Sequence, residues 1–129
     1  MNQYYEIIHL DDNPVFLEET GRLIRRIDDC PINYKGIVNK DKAYALIKKN
    51  NYDLFISDLM IEDDNSEKSG KDFITKISEK YPKLRILVLS ARSKYEFYDY
   101  FQSLNIQYME KTFNPYYFGD DIKNLLMEK

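Results

Sequence analysis

The segment YDLFISDLM, residues 52–60, joins a short apolar run to a carboxylate. Its centre is a short apolar run containing β-branched and aromatic residues, which predicts a strand covered on both faces rather than an alternating edge strand. The run ends at Asp58, and a buried strand gains nothing from an ionised group at its tip unless another group meets it there. We therefore expect Asp58 to belong to a site formed with other parts of the chain.

The length and composition describe one ordinary globular domain. The 129 residues are expected to fold as a single unit, residues 1–129, around one core. No apolar run approaches the roughly 20 residues of a membrane span, and the N-terminus lacks the basic start of a signal peptide. Cys30 is the only cysteine, which excludes a disulfide framework and fits a reducing cytoplasm. The net charge of −3 and the scattered tyrosines argue against a nucleic-acid surface.

Apolar runs of strand length alternate with segments of helical periodicity along the chain. Asn13 followed by Pro14, and later Asn114 followed by Pro115, is a pattern that begins helices. Asn50 and Asn51 are expected to stop the second helix, because both tolerate a left-handed cap. The alternation predicts a parallel sheet between two helical layers, which is a three-layer α/β sandwich. The strands are predicted at 5–10, 34–38, 52–58, 84–89 and 106–110, and one helix at 94–104.

Ionisable or hydroxyl residues lie at the ends of four of the five predicted strands. In chain order they are Asp11 and Asp12, Asp58, Ser90 and Lys111. Because the carboxyl ends of parallel strands meet at one edge of the sheet, these groups are expected to form one site. Two unit charges about 4 Å apart repel by about 4 kcal/mol at an effective dielectric constant of about 20, so three carboxylates favour a hard divalent cation such as Mg²⁺. Taken singly, the acidic pair could only favour a helix start, Ser90 could be a cap and Lys111 a solvated lysine.

This set of residues resembles the site of response-regulator receiver domains, and the resemblance covers essentially the whole chain. It rests on the separations between the acidic pair, Asp58, the Ser90-Ala91 dipeptide and Lys111. It implies a flavodoxin-like fold whose five parallel strands lie in the order 2-1-3-4-5, with helices on both faces. It also implies that Asp58 accepts a phosphoryl group.

The roles of the other site residues follow from the same resemblance. Lys111 and Ser90 are expected to contact the phosphoryl oxygens, and Ser90 and Tyr108 to form the switch that responds to them. Met60 and Arg92 occupy positions that tune the lifetime of the phosphoryl group in the family. The implied ligands of Mg²⁺ are Asp11, Asp12, Asp58 and the backbone carbonyl of Met60.

The function implied by the resemblance is that of a switch in a two-component phosphorelay. The donor would be a phosphohistidine of a sensor kinase or of a histidine phosphotransfer protein, and the chain would catalyse its own phosphorylation and dephosphorylation without being a conventional enzyme. Residues 92–110 are the predicted surface toward an unknown output partner, and a homodimer is left open. Exposed rings beside Tyr108 are expected from among Tyr95, Phe97, Tyr98, Tyr100 and Phe101.

The sequence departs from the family pattern at three points. The loop after Asp58, LMIEDDNSEKSG, is longer than usual, acidic and without the usual Pro, so docking of the kinase is expected to differ. Thr112 follows Lys111 in place of a Pro, which predicts either a trans bond with a rearranged loop or a strained cis bond. Asn105 stands where a Gly is common and still tolerates a left-handed turn.

Two other functions compete with the phosphorylated receiver. A pseudo-receiver that only binds proteins would fit the altered loop, but the chain retains all the site residues. A magnesium-dependent aspartyl-phosphate hydrolase would carry two Asp residues two positions apart after the first strand, whereas Asp11 and Asp12 are adjacent and Asp58 follows the third. His9, the only histidine, is interpreted as a strand-packing residue, because phosphotransfer histidines lie on exposed helix faces.

Overall fold

A computed structural model of the chain describes residues 4–59, 67–91 and 97–127. Within these ranges strands and helices alternate as the sequence predicts. The strands are β1 (Tyr5–Leu10), β2 (Ile32–Ile37), β3 (Leu54–Asp58), β4 (Arg85–Ser90) and β5 (Gln107–Glu110). The helices are α1 (Pro14–Arg25), α2 (Lys40–Lys49), α3 (Glu67–Lys80), α4 (Tyr98–Ser103) and α5 (Pro115–Met127).

The strands form one sheet in the order β2-β1-β3-β4-β5, and each neighbouring pair is parallel. The central strand β3 is buried over its whole length, because helices cover both of its faces. The predicted fold, a flavodoxin-like three-layer sandwich with strand order 2-1-3-4-5, is confirmed. Asp58 therefore ends the central strand, at the edge of the sheet where β1, β4 and β5 also end.

Two apolar clusters cover the two faces of the sheet, because successive residues of a strand point to opposite sides. Ile8 and Phe55 pack on the side of α2, α3 and α4. Ile7 and Ile56 pack on the side of α1 and α5. The same alternation continues along β1 and sets which layer each later residue of the strand faces.

The helix ends follow the predicted capping pattern with one exception. The side chain of Asn13 accepts hydrogen bonds from the backbone of Val15 at 3.0 Å and of Phe16 at 3.3 Å, so the predicted start of α1 is confirmed. The helix stops at Asn50 as predicted, but neither Asn50 nor Asn51 forms a left-handed cap: Asn50 is extended with φ −127°, and among the described residues other than glycine only Asp29 and Asn105 have positive φ. Its side-chain amide instead donates to the Leu46 carbonyl at 3.0 Å, which satisfies the helix end without a left-handed turn.

Helix α4 is shorter than predicted and hides its rings. It begins at Tyr98, because Phe97 has non-helical backbone angles and no side chain caps the helix; residues 92–96 lie outside the described residues. The prediction that some of these rings are exposed is wrong for the rings that the structure describes. Phe97, Tyr98 and Tyr100 are half-buried and Phe101 is fully buried. Tyr95 lies outside the described residues. Helix α4 carries these rings toward α3 and the sheet.

Contacts with α3 explain why Tyr100 is not exposed. Its hydroxyl lies 2.8 Å from Thr75 Oγ1, which donates its own hydrogen to the Lys71 carbonyl. The Lys71 ammonium lies 4.3 Å from the centre of the Tyr100 ring, a cation–π distance. Helix α4 is thereby joined to α3 by polar as well as apolar contacts.

Gly70 lets α3 approach the end of β3 closely. A Cβ atom at this position would overlap the backbone carbonyl of Leu59, which is fully buried. The acidic loop between them falls mostly in residues 60–66, outside the described residues. After this loop, the start of α3 therefore packs against the backbone of Leu59 at a distance that only glycine at position 70 permits.

Replacing Gly70 by alanine is expected to destabilise the fold. Alanine favours a helix by up to about 1 kcal/mol over glycine, but here overlap with Leu59 forces a backbone shift that costs about 1–3 kcal/mol. Gly119→Ala in α5 is the control, because its Cβ would meet only the flexible side chain of Ile27. Urea unfolding should show a lower free energy of unfolding for Gly70→Ala alone; equal stability of the two variants would contradict the assigned contact.

Candidate functional site

Carboxylates from two strand ends meet beside one lysine at the edge of the sheet. Asp11 is fully buried, Asp12 is exposed and Asp58 is only 6% exposed. An oxygen from each lies within 4.8 Å of the others, so the three could hold a metal ion. The Lys111 ammonium lies 2.8 Å from Asp11 Oδ2 and 3.4 Å from Asp58 Oδ2. The structure thus brings together the four charged residues selected from the sequence.

Asp11 is positioned by the turn that leads into α1. Its backbone N–H donates to the Ile37 carbonyl of β2 at 3.1 Å, which extends the sheet by one residue. Its Oδ1 accepts the backbone N–H of Asn13 at 2.9 Å, while Asn13 caps the helix with its own side chain. Both carboxylate oxygens of Asp11 therefore have a positive or N–H partner, which offsets the cost of burying the charge.

Lys111 is held from three directions. Its backbone N–H donates to the Ser90 carbonyl at 2.8 Å, which ties the end of β5 to the end of β4. Its ammonium lies 4.9 Å from the centre of the Phe16 ring on α1. Burial acts to lower the pKa of Lys111, but the hydrogen bond to Asp11 and the charges of Asp58 and Asp11 outweigh it and raise the pKa. The lysine is therefore a fixed positive charge at neutral pH.

Phe16 was not selected from the sequence as a site residue. In the sequence, Phe16 belongs to the apolar face of the helical pattern that follows Pro14. That pattern does not distinguish a ring in the apolar core from a ring that contacts an ammonium group. The contact depends on the α1–α5 layer being placed against the end of β5, which is a property of the fold.

Ser90 and Tyr108 lie where β4 and β5 pair. Ser90 is buried at the end of β4, next to Glu110 across the pair, and Tyr108 lies next to Val88. The Tyr108 ring points inward and stacks on Phe101 of α4, with 5.8 Å between ring centres. The switch tyrosine expected from the resemblance is thus already in an inward position.

The remaining predicted positions have simple outcomes. Met60 and Arg92 lie outside the described residues. Every peptide bond in the described ranges is trans, so the bond between Lys111 and Thr112 is trans rather than a strained cis bond. Asn105 has φ 61°, which confirms the left-handed turn predicted there.

His9 is buried behind the charged site, on the α1 side of the sheet. Its Nδ1 lies 2.7 Å from the Tyr34 hydroxyl, and that hydroxyl donates to the Leu17 carbonyl at 3.0 Å, so Nδ1 carries the hydrogen. The His9 ring packs edge-to-face against Phe16 and Tyr34. Burial, and secondarily the charge of Lys111, lowers the pKa of His9 to about 3. The interpretation of His9 as a packing residue is confirmed.

The buried neutral His9 should make the protein less stable in mild acid. The unfolded chain binds a proton near the ordinary pKa of 6.5, whereas the folded chain does so only near about 3, so the free energy of unfolding falls as the pH drops between these values. Between about pH 7 and about pH 5 the wild type should lose about 2 kcal/mol more than His9→Asn, which does not titrate. Urea unfolding at both pH values measures this; identical losses would show that His9 is protonated in the fold.

The chain belongs to the response regulator receiver domain family, whose model matches residues 7–120. It is therefore a receiver domain of two-component signalling. A comparison with curated proteins finds no match. In the parts of the chain that the structure describes, no helix has the length and apolar character needed to cross a membrane.

Solved structures share the whole architecture at low sequence identity. RcsB of Salmonella typhimurium matches with a TM-score of 0.81 and 20% identity over 99% of this chain, which spans 62% of the RcsB chain. A CheY-like receiver protein from Methanospirillum hungatei matches with a TM-score of 0.78 and 17% identity, covering 97% of this chain and 95% of that one. TrrA of Thermotoga maritima, solved in complex with Mg²⁺ and a beryllium fluoride, matches with a TM-score of 0.76 and 23% identity, covering 94% and 98%.

Proposed function

We propose that this receiver domain is phosphorylated on Asp58 by a phosphohistidine donor and thereby switches a protein-interaction surface. The observation that carries the proposal is the position of Asp58: a nearly buried carboxylate at the end of the central strand, facing a charged lysine and two further carboxylates. A structural carboxylate would need only the lysine. Three carboxylates beside one ammonium group leave an excess of negative charge that calls for a cation.

Asp58 is the nucleophile in this proposal. A carboxylate oxygen attacks the phosphorus of a donor phosphohistidine; a P–O bond forms, the P–N bond breaks and the imidazole leaves. The Lys111 ammonium, 3.4 Å from Asp58, stabilises negative charge on the transferring oxygens. It does so without reorganising, because the Ser90 carbonyl holds the backbone of Lys111 in place. The Ser90 side chain supplies a hydroxyl at the adjacent strand end for the same oxygens.

The carboxylate set fits Mg²⁺, which prefers oxygen ligands and keeps several waters. Asp12 and Asp58 are the direct ligands that we propose, with Met60 contributing its backbone carbonyl by resemblance. Asp11 already receives the Asn13 N–H and the Lys111 ammonium, so we assign it to the metal through water. When bound, the ion neutralises charge on the phosphoryl oxygens and allows the donor phosphate to approach the carboxylates.

Exposed apolar side chains beside this edge suit the donor protein. Val15 at the start of α1 and Tyr116 and Tyr117 at the start of α5 are 63%, 90% and 64% exposed. Both helices begin at the edge of the sheet where Asp58 lies, so a donor that reaches Asp58 passes these side chains. We propose that they contact the sensor kinase or histidine phosphotransfer protein, because clustered exposed aromatic residues favour protein contacts.

The output signal runs through β5 and α4 in this proposal. Ser90 pairs with Glu110, and Tyr108 connects the same strand to Phe101. A phosphoryl group on Asp58 that draws the Ser90 hydroxyl toward it changes the space available to the inward Tyr108 ring. Residues 97–110, within the predicted 92–110 surface, then shift between two packing states that a partner can distinguish. Arg92 remains a proposed tuning position by resemblance.

Phosphorylation should depend on Asp58 and on Asp12. Incubation with a small phosphodonor and Mg²⁺ should add the mass of one phosphoryl group to the wild type and none to Asp58→Asn. Asp12→Ala should lose the modification while remaining folded, because it removes carboxylate repulsion together with a metal ligand. Asp120→Asn, an exposed carboxylate on α5, is the control and should behave as wild type. Either of two outcomes would refute the acceptor assignment: an unmodified wild type, which would favour a pseudo-receiver, or full modification of Asp58→Asn, which would place the acceptor at another residue.

A phosphoryl mimic should alter amide exchange at the output surface. With beryllium fluoride and Mg²⁺, protection is expected to change in residues 97–110 as well as at the site, because Ser90 and Tyr108 lie on paired strands. Asp58→Asn treated identically should show no change. Protection changes limited to residues 52–59 and 67–70 in the wild type would contradict the proposed route to α4 and β5.

A further inference from the structure

Two exposed lysines of α3, Lys76 and Lys80, contact Tyr44 of α2, and the charge of a third exposed lysine, Lys48, also acts on it. The Lys80 ammonium donates a hydrogen bond to the Tyr44 hydroxyl at 2.9 Å. The ammonium nitrogens of Lys76 and Lys80 lie 5.2 Å and 5.5 Å from the centre of the Tyr44 ring. The hydrogen bond from Lys80, and the charges of Lys80, Lys76 and Lys48, lower the pKa of Tyr44 against a smaller opposing effect of burial. We refer to Tyr44, Lys48, Lys76 and Lys80 as the basic patch.

The positive charge of the basic patch has no counterpart within the described chain. None of Lys48, Lys76 and Lys80 forms an ion pair with a carboxylate in the residues that the structure describes. Lys76 and Lys80 are four residues apart on one helix, where like charges repel. The helix dipole favours Lys48 and Lys80, which lie in the last turns of α2 and α3, but it does not account for Lys76. Tyr44 therefore holds together two ammonium groups, those of Lys76 and Lys80, that no carboxylate of the described residues pairs with.

The basic patch lies away from Asp58. In this fold the helices run opposite to the strands, so the last turns of α2 and α3 lie toward the edge of the sheet where the strands begin. Asp58 lies at the other edge, where β3 ends. A ligand on the basic patch would therefore leave the phosphorylation site open.

We propose that the basic patch binds an acidic polypeptide segment of a partner protein. The lysine ammonium groups are donors for side-chain carboxylates, and those of Lys76 and Lys80 are already held near fixed positions by the ring. The Tyr44 oxygen accepts the hydrogen bond from Lys80, which leaves its own hydrogen for a further acceptor. Binding of this kind tethers the receiver to a partner whether or not Asp58 is phosphorylated.

Net charge favours a short acidic peptide over a longer polyanion. The chain carries −3 at pH 7, so its overall field repels nucleic acid and anionic membranes. Both of those ligands require a basic surface extended over many residues, whereas the basic patch is confined to the facing sides of two helices. A few carboxylates placed against three ammonium groups match the size and sign of this surface.

Fluorescence anisotropy with a labelled peptide of alternating glutamate and serine tests the proposal at low ionic strength. The wild type should bind it and should not bind the same peptide with glutamine for glutamate. Lys76→Gln/Lys80→Gln should weaken binding about three- to tenfold. Lys35→Gln/Lys42→Gln, which makes the same charge change at exposed positions outside the basic patch, should leave binding unchanged. Asp58→Asn should bind as the wild type does, which separates this proposal from the phosphoacceptor function.

Amide chemical shifts of the wild type provide a readout that does not depend on variants. Addition of the acidic peptide should shift resonances of α2 and α3 around the basic patch and leave those near Asp58 in place. Equal weakening by the two double variants, no binding by the wild type, or tighter binding of a single-stranded oligonucleotide or of anionic vesicles through Lys76 and Lys80 would each overturn the proposal.

Discussion

The ammonium group of Lys111, held between Asp11 and Asp58, is the contact on which the site depends. Without it, carboxylates from the ends of β1 and β3 would face one another at the buried edge of the sheet. One positive charge among three negative ones makes this arrangement tolerable but does not neutralise it. In our proposal, the negative charge that remains attracts a divalent cation and an incoming phosphate accompanied by one.

Two aromatic side chains lie behind this lysine on the α1 side of the domain. Phe16 lies below the ammonium group, and His9 packs against Phe16 from the sheet. A positive charge on His9 would be buried close to Lys111, which is one reason why its pKa is lowered. The Tyr34 hydroxyl keeps the neutral ring in one orientation. Burial, and secondarily the charge of Lys111, therefore lowers the pKa of His9 and keeps the ring neutral.

In our proposal, the packing that changes on phosphorylation lies on the opposite side of the sheet. Tyr108 and Phe101 stack there, and Tyr100 connects the same helix to α3. Side chains alternate between the two faces of the sheet along β4 and β5. The aromatic layer therefore lies on one face and does not extend into the charged site, although both are close to the ends of these strands. The receiver can therefore change packing on one face while the lysine and the carboxylates keep their positions on the other.

The order of the strands and helices, and the residues at the strand ends, could be predicted from the amino-acid sequence. Apolar runs of strand length separated by helical periodicity require a parallel sheet, and the capping residues Asn13 and Asn114 mark where two helices begin. Asp58 and Lys111 stood out because charges rarely end buried strands without a partner. These are local signals, set by the residues and their spacing.

Which side chains contact one another, and how deeply each is buried, depends instead on how the elements pack in three dimensions. The rings of α4 are half-buried or buried instead of exposed because α3 lies close enough for Thr75 and Lys71 to contact Tyr100. The requirement for glycine at position 70 comes from the Leu59 carbonyl, which belongs to another element of the chain. Such contacts join residues distant in sequence, and no periodicity or spacing within one segment encodes the distance between two segments once they are packed.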